Sequence, residues 1–376
     1  MITNPDKDHQ KIKERFKKIG SSYKIKNMVS DDRNNVFDKK LWAHLAKAGI
    51  TGLVSDKNCS ALQMAAAYEG LATTCINNGL VFSTIAHVMA CVYPLAVYGS
   101  EAQKAKYLKK LSNGTLIAAN AITEASSGSD VFNMSTTAVL KGGNYIINGE
   151  KKYITNAPIA DVIVVYVLTD KKKGFFGGVS CFLVDAKTKG IKITKPKDKM
   201  GLRTAQMSDV TFKNVKVSAE SMLGKPGAGA QIFNHSMLWE RVAVSAMLCG
   251  QLQRVLKDTV AYAKKRKIGS SLLAEIPLVK HQLEDTVAIV NDIKDLVYDA
   301  AYTLDTDPKG AMAKCSKAKL FASENTVNCI KQLQELYGAK GYLTETGIER
   351  EYRDAFASLI YSGTSAVQRN IIGMSF

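Results

Sequence analysis

Nothing in the chain's 376 residues spaces cysteine and histidine for a metal. The seven cysteines (Cys59, Cys75, Cys91, Cys181, Cys249, Cys315, Cys329) stand singly, in an odd number and without a Cys-x-x-Cys pair. Reduced, structural thiols are therefore expected, not a disulfide framework or a zinc ribbon. The five histidines (His9, His44, His87, His235, His281) are equally dispersed, and no metal is assigned. There is no run of about 18 or more apolar residues, and Met1 to Gly20 is lysine-rich without the apolar core of a signal peptide. A cytoplasmic protein without a membrane partner is expected. Internal repeats and low-complexity segments are missing too. The stretch Gly224-Lys225-Pro226-Gly227-Ala228-Gly229 has the wrong order for a dinucleotide fingerprint and no βαβ unit around it, so it reads as a flexible joint.

Acidic side chains are the scarce charge: 34 Asp and Glu face 51 Lys and Arg, a net charge of +17. The excess is uneven, with 16 basic against 7 acidic residues over 141–225, including Lys171-Lys172-Lys173 and the series Lys187, Lys189, Lys192, Lys195, Lys197 and Lys199. Such a surface suits solubility, cofactor phosphates, an acidic carrier protein or nucleic acid. The lysines form no arginine-rich helix or stripe, which argues against a DNA-binding protein.

Hydrophobic residues make up 46% of the chain, enough to bury several cores. Helical periodicity runs from Lys7 to about Leu111, with segments Lys39 to Ala48, Ala61 to Ile76 and Glu101 to Leu111. The period then shortens: Asn144 to Asn148, Asp161 to Leu168, Val179 to Val184 and Asp209 to Val217 are β-branched or alternating and bounded by turn residues. Beyond the glycine-rich stretch helical patterns return and continue almost to the C-terminus, with Leu248 to Lys265, Pro277 to Leu304 and Gly310 to Tyr337 as the long candidates. The expected architecture is an α+β multidomain chain: an α-helical N-terminal domain (1–111), a middle β-domain (112–225) and a C-terminal α-helical bundle (226–376).

Two segments carry the chemistry. In Ala121-Ile122-Thr123-Glu124-Ala125-Ser126-Ser127-Gly128-Ser129-Asp130, hydroxyls and glycine crowd a loop that can offer N–H and O–H donors to a ring edge or a pyrophosphate. About 25 residues on comes Asn148-Gly149-Glu150-Lys151-Lys152-Tyr153-Ile154-Thr155-Asn156. Together they resemble the signature of the acyl-CoA dehydrogenase family. The resemblance continues in order through Ala86-His87, Tyr98 to Lys104, Tyr107-Leu108, Gly201-Leu202-Arg203, Val215 to Leu223, Tyr337 to Tyr342, Arg353-Asp354 and Gly363-Thr364-Ser365.

This resemblance implies the family's fold, with a β-barrel or sandwich in the middle and a C-terminal four-helix bundle, and FAD as cofactor. Ile122 and Thr123 would lie at the flavin ring, Ser129 at the pyrophosphate and thioester, and Tyr153 and Thr155 beside the isoalloxazine. Tyr153 stands where tryptophan is common, and an aromatic face is retained. Arg266 matches the position that reaches the FAD diphosphate of a neighbouring subunit, which implies a homo-oligomer, tetramer or dimer. Glu335 stands where a glutamine is common; Gly338, Ala339 and Thr364 complete the implied cofactor set, and Arg241, Ser362 and Gly363 the substrate set.

Many family members carry their base as glutamate in Tyr-Glu-Gly-Thr, but this chain reads Tyr361-Ser362-Gly363-Thr364. Serine has no basicity at neutral pH. A minority branch, including isovaleryl-CoA dehydrogenases, places the glutamate in a Glu-Arg pair on the first long C-terminal helix, and Trp239-Glu240-Arg241-Val242 matches it. Glu240 also stands out by its surroundings, since it and Arg241 are the only charged residues between Ser236 and Gln253. A carboxylate on such a face is desolvated and becomes a stronger base. An interhelical ion pair is the alternative role, with Arg241 its better occupant. The expected reaction is oxidation of an acyl thioester between Cα and Cβ, with electrons passed to an electron-transfer flavoprotein or another acceptor. The thioester is carried by CoA or by an acidic carrier protein of a biosynthetic pathway. The net charge, and Leu238 where some CoA-dependent relatives carry an acid, favour the carrier.

Overall fold

The computed structural model describes residues 7–55 and 59–375, so the first six residues of the lysine-rich opening segment lie outside the described residues. The N-terminal part is helical: α1 (Lys7–Ser22), α2 (Met28–Arg33), α3 (Lys39–Lys47), α4 (Ala61–Ala72), α5 (Asn78–His87), α6 (Tyr93–Tyr98), α7 (Glu101–Gln103) and α8 (Lys109–Ser112). Side-chain caps start several of them. Asp38 accepts the N–H groups of Lys40 and Leu41, and Ser60 with Gln63 and Ser100 with Gln103 form capping boxes. A π-helical turn, Val88–Val92, joins α5 to α6. Against the expectation that no run is long and apolar enough to cross a membrane, the resulting rod, Asn78–Tyr98, is both. Its scattered Asn, Ser, Thr and His masked it in the sequence, yet 83% of its apolar window is buried inside the protein. It is apolar all round because it is a central core helix.

The middle part contains β1 (Ala118–Ala121), β2 (Thr137–Lys141), β3 (Asn144–Thr155), β4 (Val162–Leu168), the helical turn α9 (Phe175–Gly178), β5 (Val179–Asp185), β6 (Ile191–Ile193), β7 (Met207–Ser218) and β8 (Met222–Leu223). The strand order is β6-β7-β3-β2-β4-β5-β8, with β1 parallel to β4. Alternate residues of β4 enter two cores. Ile163, Val165 and Val167 pack with Phe182, Val210 and Phe212, whereas Val162, Val164 and Tyr166 pack with Cys91, Leu95 and Ile232. Burial on both faces explains why β4 is a nearly unbroken apolar run. The barrel or sandwich expected from the sequence takes the form of one continuous eight-stranded sheet, six strands of which share the first of these cores.

The C-terminal part is α10 (Gly229–Ala263), a hairpin of β9 (Lys267–Ile268) and β10 (Ser271–Leu272), α11 (Pro277–Thr306), α12 (Ala311–Glu335), α13 (Ile348–Phe356) and α14 (Ser365–Gly373). α10, α11 and α12 pack mutually, α4 packs on α10 and α11, and α14 completes the bundle against α12. The long candidate Leu248 to Lys265 is the later part of α10, which begins at Gly229, directly after the glycine-rich stretch. The earlier turns are buried on most sides, so they show no amphipathic stripe to read. The stretch before the helix is not a flexible joint. A Cβ on Gly227 would lie 2.3 Å from the Gly177 carbonyl oxygen, and one on Gly229 would lie 2.7 Å from Val179, so these glycines permit close packing.

Candidate active site

Midway along α10, Glu240 and Arg241 enter the protein as the only charges in an apolar stretch, and both are buried. The preceding Trp239 lies 4.8 Å from the ring of Tyr93 on α6. Tyr93 and Tyr98 hold the two nitrogens of His235 at 2.8 and 2.9 Å. Burial pushes the Glu240 carboxyl above its usual range. A hydrogen bond from Ser362 and the positive charges of Arg241 and Lys319 act in the opposite direction. The result is a carboxylate that is desolvated, oriented and readier than usual to accept a proton.

The two base positions considered from sequence meet in space. Ser362 Oγ donates to Glu240 Oε1 at 2.5 Å across 122 residues of chain. Ser362 and Gly363 have φ of +55° and +91°, and a Cβ on Gly363 would lie 2.5 Å from Gln368 Nε2. This left-handed turn brings the serine hydroxyl to the carboxylate while its neighbour Tyr361 stacks on Phe82 of α5, 4.5 Å between ring centres. Arg241 does not occupy the interhelical ion pair anticipated for it. Its guanidinium donates to Ser316 Oγ at 3.3 Å, because α10 faces the small residues Cys315 and Ser316 of α12 rather than an acid. Gly363 is part of the turn, and its carbonyl accepts from Lys319 Nζ at 2.8 Å.

A second group of residues surrounds the end of β3. Ile122 is buried, Thr123 half-buried and Ser129 exposed on the loop after β1. Glu124 fixes that loop. It accepts from the backbone of Ser135 and Thr136 at 2.7 and 2.9 Å and from Lys151 Nζ at 2.8 Å, while the same ammonium donates to the Ile122 carbonyl at 2.9 Å. Burial would raise the Glu124 carboxyl, but the Lys151 charge and these hydrogen bonds hold it at about 2. Burial in turn pushes the Lys151 ammonium down to about 8, so both partners are charged at neutral pH. On the outer side, Lys152 and Tyr153 oppose Asp209 alone, a β-bulge between β3 and β7. With φ of +59° and its N–H on Asp209, Tyr153 turns its ring outward, 57% exposed, with Lys197 Nζ 5.6 Å above it. Thr155 follows two residues on, at the end of the same strand. Asn156 then donates to the Ser83 carbonyl of α5 at 3.0 Å, which ties this edge to the helix that carries Phe82.

The remaining sequence-predicted residues lie elsewhere. Arg266 is exposed just beyond α10, and Glu335, Gly338 and Ala339 are exposed at the end of α12. Stacking of Tyr262 on Tyr337, 4.3 Å apart, joins these two ends. At about 1.5 Å per residue, the helix carries its last turn roughly 35 Å from Glu240. One chain therefore holds two separate clusters. Thr364 caps α14 and lines an open cleft of about 470 Å³ with Glu324, Asn328 and Ser365. Ser365 Oγ is buried there without a protein partner.

These features fit a flavin dinucleotide. An aromatic face is turned out of the sheet, hydroxyl donors stand on a braced loop, and an orphaned hydroxyl faces the cleft by Thr364. Sequence reasoning missed Lys319, and it quoted Glu124 and Lys151 within the signature without giving them a role.

Comparison with known proteins places the chain. Its residues 6–115, 119–215 and 227–376 match the family models for the N-terminal, middle and C-terminal domains of acyl-CoA dehydrogenase. It is 35% identical over 342 residues to an L-prolyl-[peptidyl-carrier protein] dehydrogenase from Serratia sp. (strain ATCC 39006), covering 90% of this chain and 88% of the relative. Among solved structures, the prolyl acyl carrier protein oxidase AnaB superposes with a TM-score of 0.94 at 34% identity, covering 98% of this chain and 99% of that one. PigA, solved with FAD and proline, superposes with a TM-score of 0.96 at 32% identity over 100% and 99%.

Proposed function

The chain belongs to the acyl-CoA dehydrogenase family, and we propose that it is an FAD-dependent enzyme that desaturates an acyl thioester between Cα and Cβ while the acyl group is tethered to a carrier protein. Supporting the reaction type is one observation above the others. A buried glutamate, Glu240, is oriented by a serine that occupies the family's alternative base position. The carrier is supported by the two prolyl-carrier enzymes that span nearly the whole chain. A prolyl thioester is accordingly the first substrate to test.

Bound FAD supplies the two-electron acceptor for the hydride that leaves Cβ. Ile122, Thr123, Ser129, Tyr153, Thr155 and Thr364 are the residues of this chain that would hold it. Glu240 takes the Cα proton. With Ser362 donating to Oε1, the second carboxylate oxygen is left to receive it. The Phe82–Tyr361 stack and the Trp239–Tyr93 pair are apolar walls near this carboxylate, and water kept away from it preserves its basicity. Ser129, Arg241, Ser362 and Gly363 are assigned to the thioester. The electrons leave to an electron-transfer flavoprotein or another acceptor.

The family resemblance assigns Arg266 to the cofactor of a second copy, and the exposed place it shares with Glu335, Gly338 and Ala339, roughly 35 Å of helix from Glu240 in its own chain, supports that assignment. On this reading the enzyme is a homo-oligomer whose cofactor sites are shared.

The test is spectroscopic. Purified protein should be yellow, and a prolyl group on a carrier protein should bleach the flavin anaerobically faster than prolyl-CoA does. Equal rates would return the substrate to CoA, and a colourless protein that takes up no FAD would overturn the reading altogether.

A further inference from the structure

Lys319 is a fully buried lysine on α12, and it forms no ion pair with Glu240. Its ammonium donates to two backbone carbonyls, Ser358 at 2.7 Å and Gly363 at 2.8 Å, and lies 5.9 Å from the centre of the Tyr361 ring. Those two carbonyls bracket the left-handed turn that presents Ser362. Gln368 Nε2 supports the same turn from α14, donating to the Ser362 and Gly363 carbonyls at 2.9 and 3.0 Å. A charged donor buried on two carbonyls is a costly arrangement for merely closing a short turn, since neutral amides suffice for that.

We propose that Lys319 is a positioning residue for the base: it clamps the turn at Ser358 and Gly363 so that the Ser362 hydroxyl meets Glu240, and its charge helps to keep that buried carboxylate ionised. The inference rests on the reading of Glu240 as the base.

The groups facing Lys319 are few. Arg241 and Glu240 reach it from α10, Glu324 comes from its own helix and Tyr361 from the turn. Burial and the Arg241 charge push the Lys319 ammonium down to about 7, while Glu324 and Glu240 act against that. If its proton is lost, a neutral amine still has two N–H donors for two carbonyls. The turn would then keep its shape while the carboxylate lost a favourable charge. Position and charge are therefore separable.

The experiment compares parent protein, Lys319→Met, Lys319→Gln and Ser362→Ala, each loaded with FAD. The glutamine keeps two N–H donors without the charge, and it serves as the second variant where methionine impairs folding. Infrared titration of the buried carboxyl C=O band, assigned by its loss in Glu240→Gln, reads the base without any turnover. Lys319→Met and Ser362→Ala should each raise the apparent Glu240 pKa by at least about one unit, and the double variant should exceed Ser362→Ala only by the smaller charge share that Lys319→Gln reads. Lys319→Gln should give a smaller rise. Unchanged titration in the lysine variants would overturn the proposal, and so would shifts that simply add to that of Ser362→Ala. The pH profile of substrate-driven flavin reduction, measured in parallel, separates the two readings. A titration shift without a matching shift of the profile's acid limb would leave the clamp standing and remove Glu240 as the base.

Discussion

At the scale of single residues, the proposed mechanism depends on one carboxylate held in an apolar helix. Glu240→Gln keeps size and hydrogen bonding to Ser362 but removes basicity, so FAD should stay bound while substrate-driven reduction slows by roughly 100-fold or more. Ser362→Ala leaves the carboxylate in place without its donor and should cost far less. Because burial raises the Glu240 carboxyl, the parent rate should climb with pH until the group is ionised, with the rise beginning above the ordinary carboxylate range. Stopped-flow bleaching across pH measures all three, and a parent-like rate in Glu240→Gln would remove it as the base. Glu240 could be picked out in the sequence because its Glu-Arg pair resembles the motif of a minority family branch and nothing else in its stretch is acidic. Lys319 could not. Its two partners are 39 and 44 residues away and are backbone carbonyls, which carry no side-chain signature.

At the scale of elements, the loop after β1 and the bulged end of β3 are held together by Glu124 and Lys151, a nearly fully buried pair. Breaking such a pair from one side leaves an uncompensated charge and costs about 3–5 kcal/mol, whereas replacing both partners costs much less. Lys151→Met should therefore lower the melting temperature and release FAD more readily, and adding Glu124→Gln should recover part of both losses. Calorimetry and flavin fluorescence of the released cofactor check this, and a single variant as stable as the parent would refute the lock. The sign with pH follows from the depressed carboxyl. Its contribution is present above the ordinary glutamate range and is lost as pH falls through about 2. The sequence motif contained both residues, and it also marked the strands and the long helices. What it could not show was the bulge opposite Asp209 or the positive φ at Tyr153 and Ser362, since non-glycine residues give no local sign that tertiary contacts will hold them there. The full reach of α10 back to Gly229 was not marked among the long candidates, because its early turns are buried on most sides and show no apolar stripe.

At the scale of the whole molecule, the question is what the charge of +17 is for. The basic excess over 141–225 belongs to the same sheet that carries the Tyr153 bulge, and part of it is already internally matched. Lys152 and Lys197 both reach Asp209, at 3.2 and 2.9 Å, and Lys151 is committed to Glu124. The lysines left to solvent, including Lys187, Lys189 and Lys195, are exposed and spread along the chain. Such a distribution acts on encounter and not on the chemical step, because surface charges steer a partner over a Debye length and are screened by salt. If an acidic carrier protein delivers the substrate, kcat/KM for the carrier-bound thioester should fall by roughly three- to tenfold between about 0.05 and 0.5 M salt, while kcat changes little. The same acyl group on neutral pantetheine supplies the control. It presents the thioester without the partner's charge, so its kcat/KM should be lower at low salt and nearly flat across the series. Parallel salt slopes for the two substrates would mean that the basic surface plays no part in recognising the carrier, and that its lysines serve solubility alone.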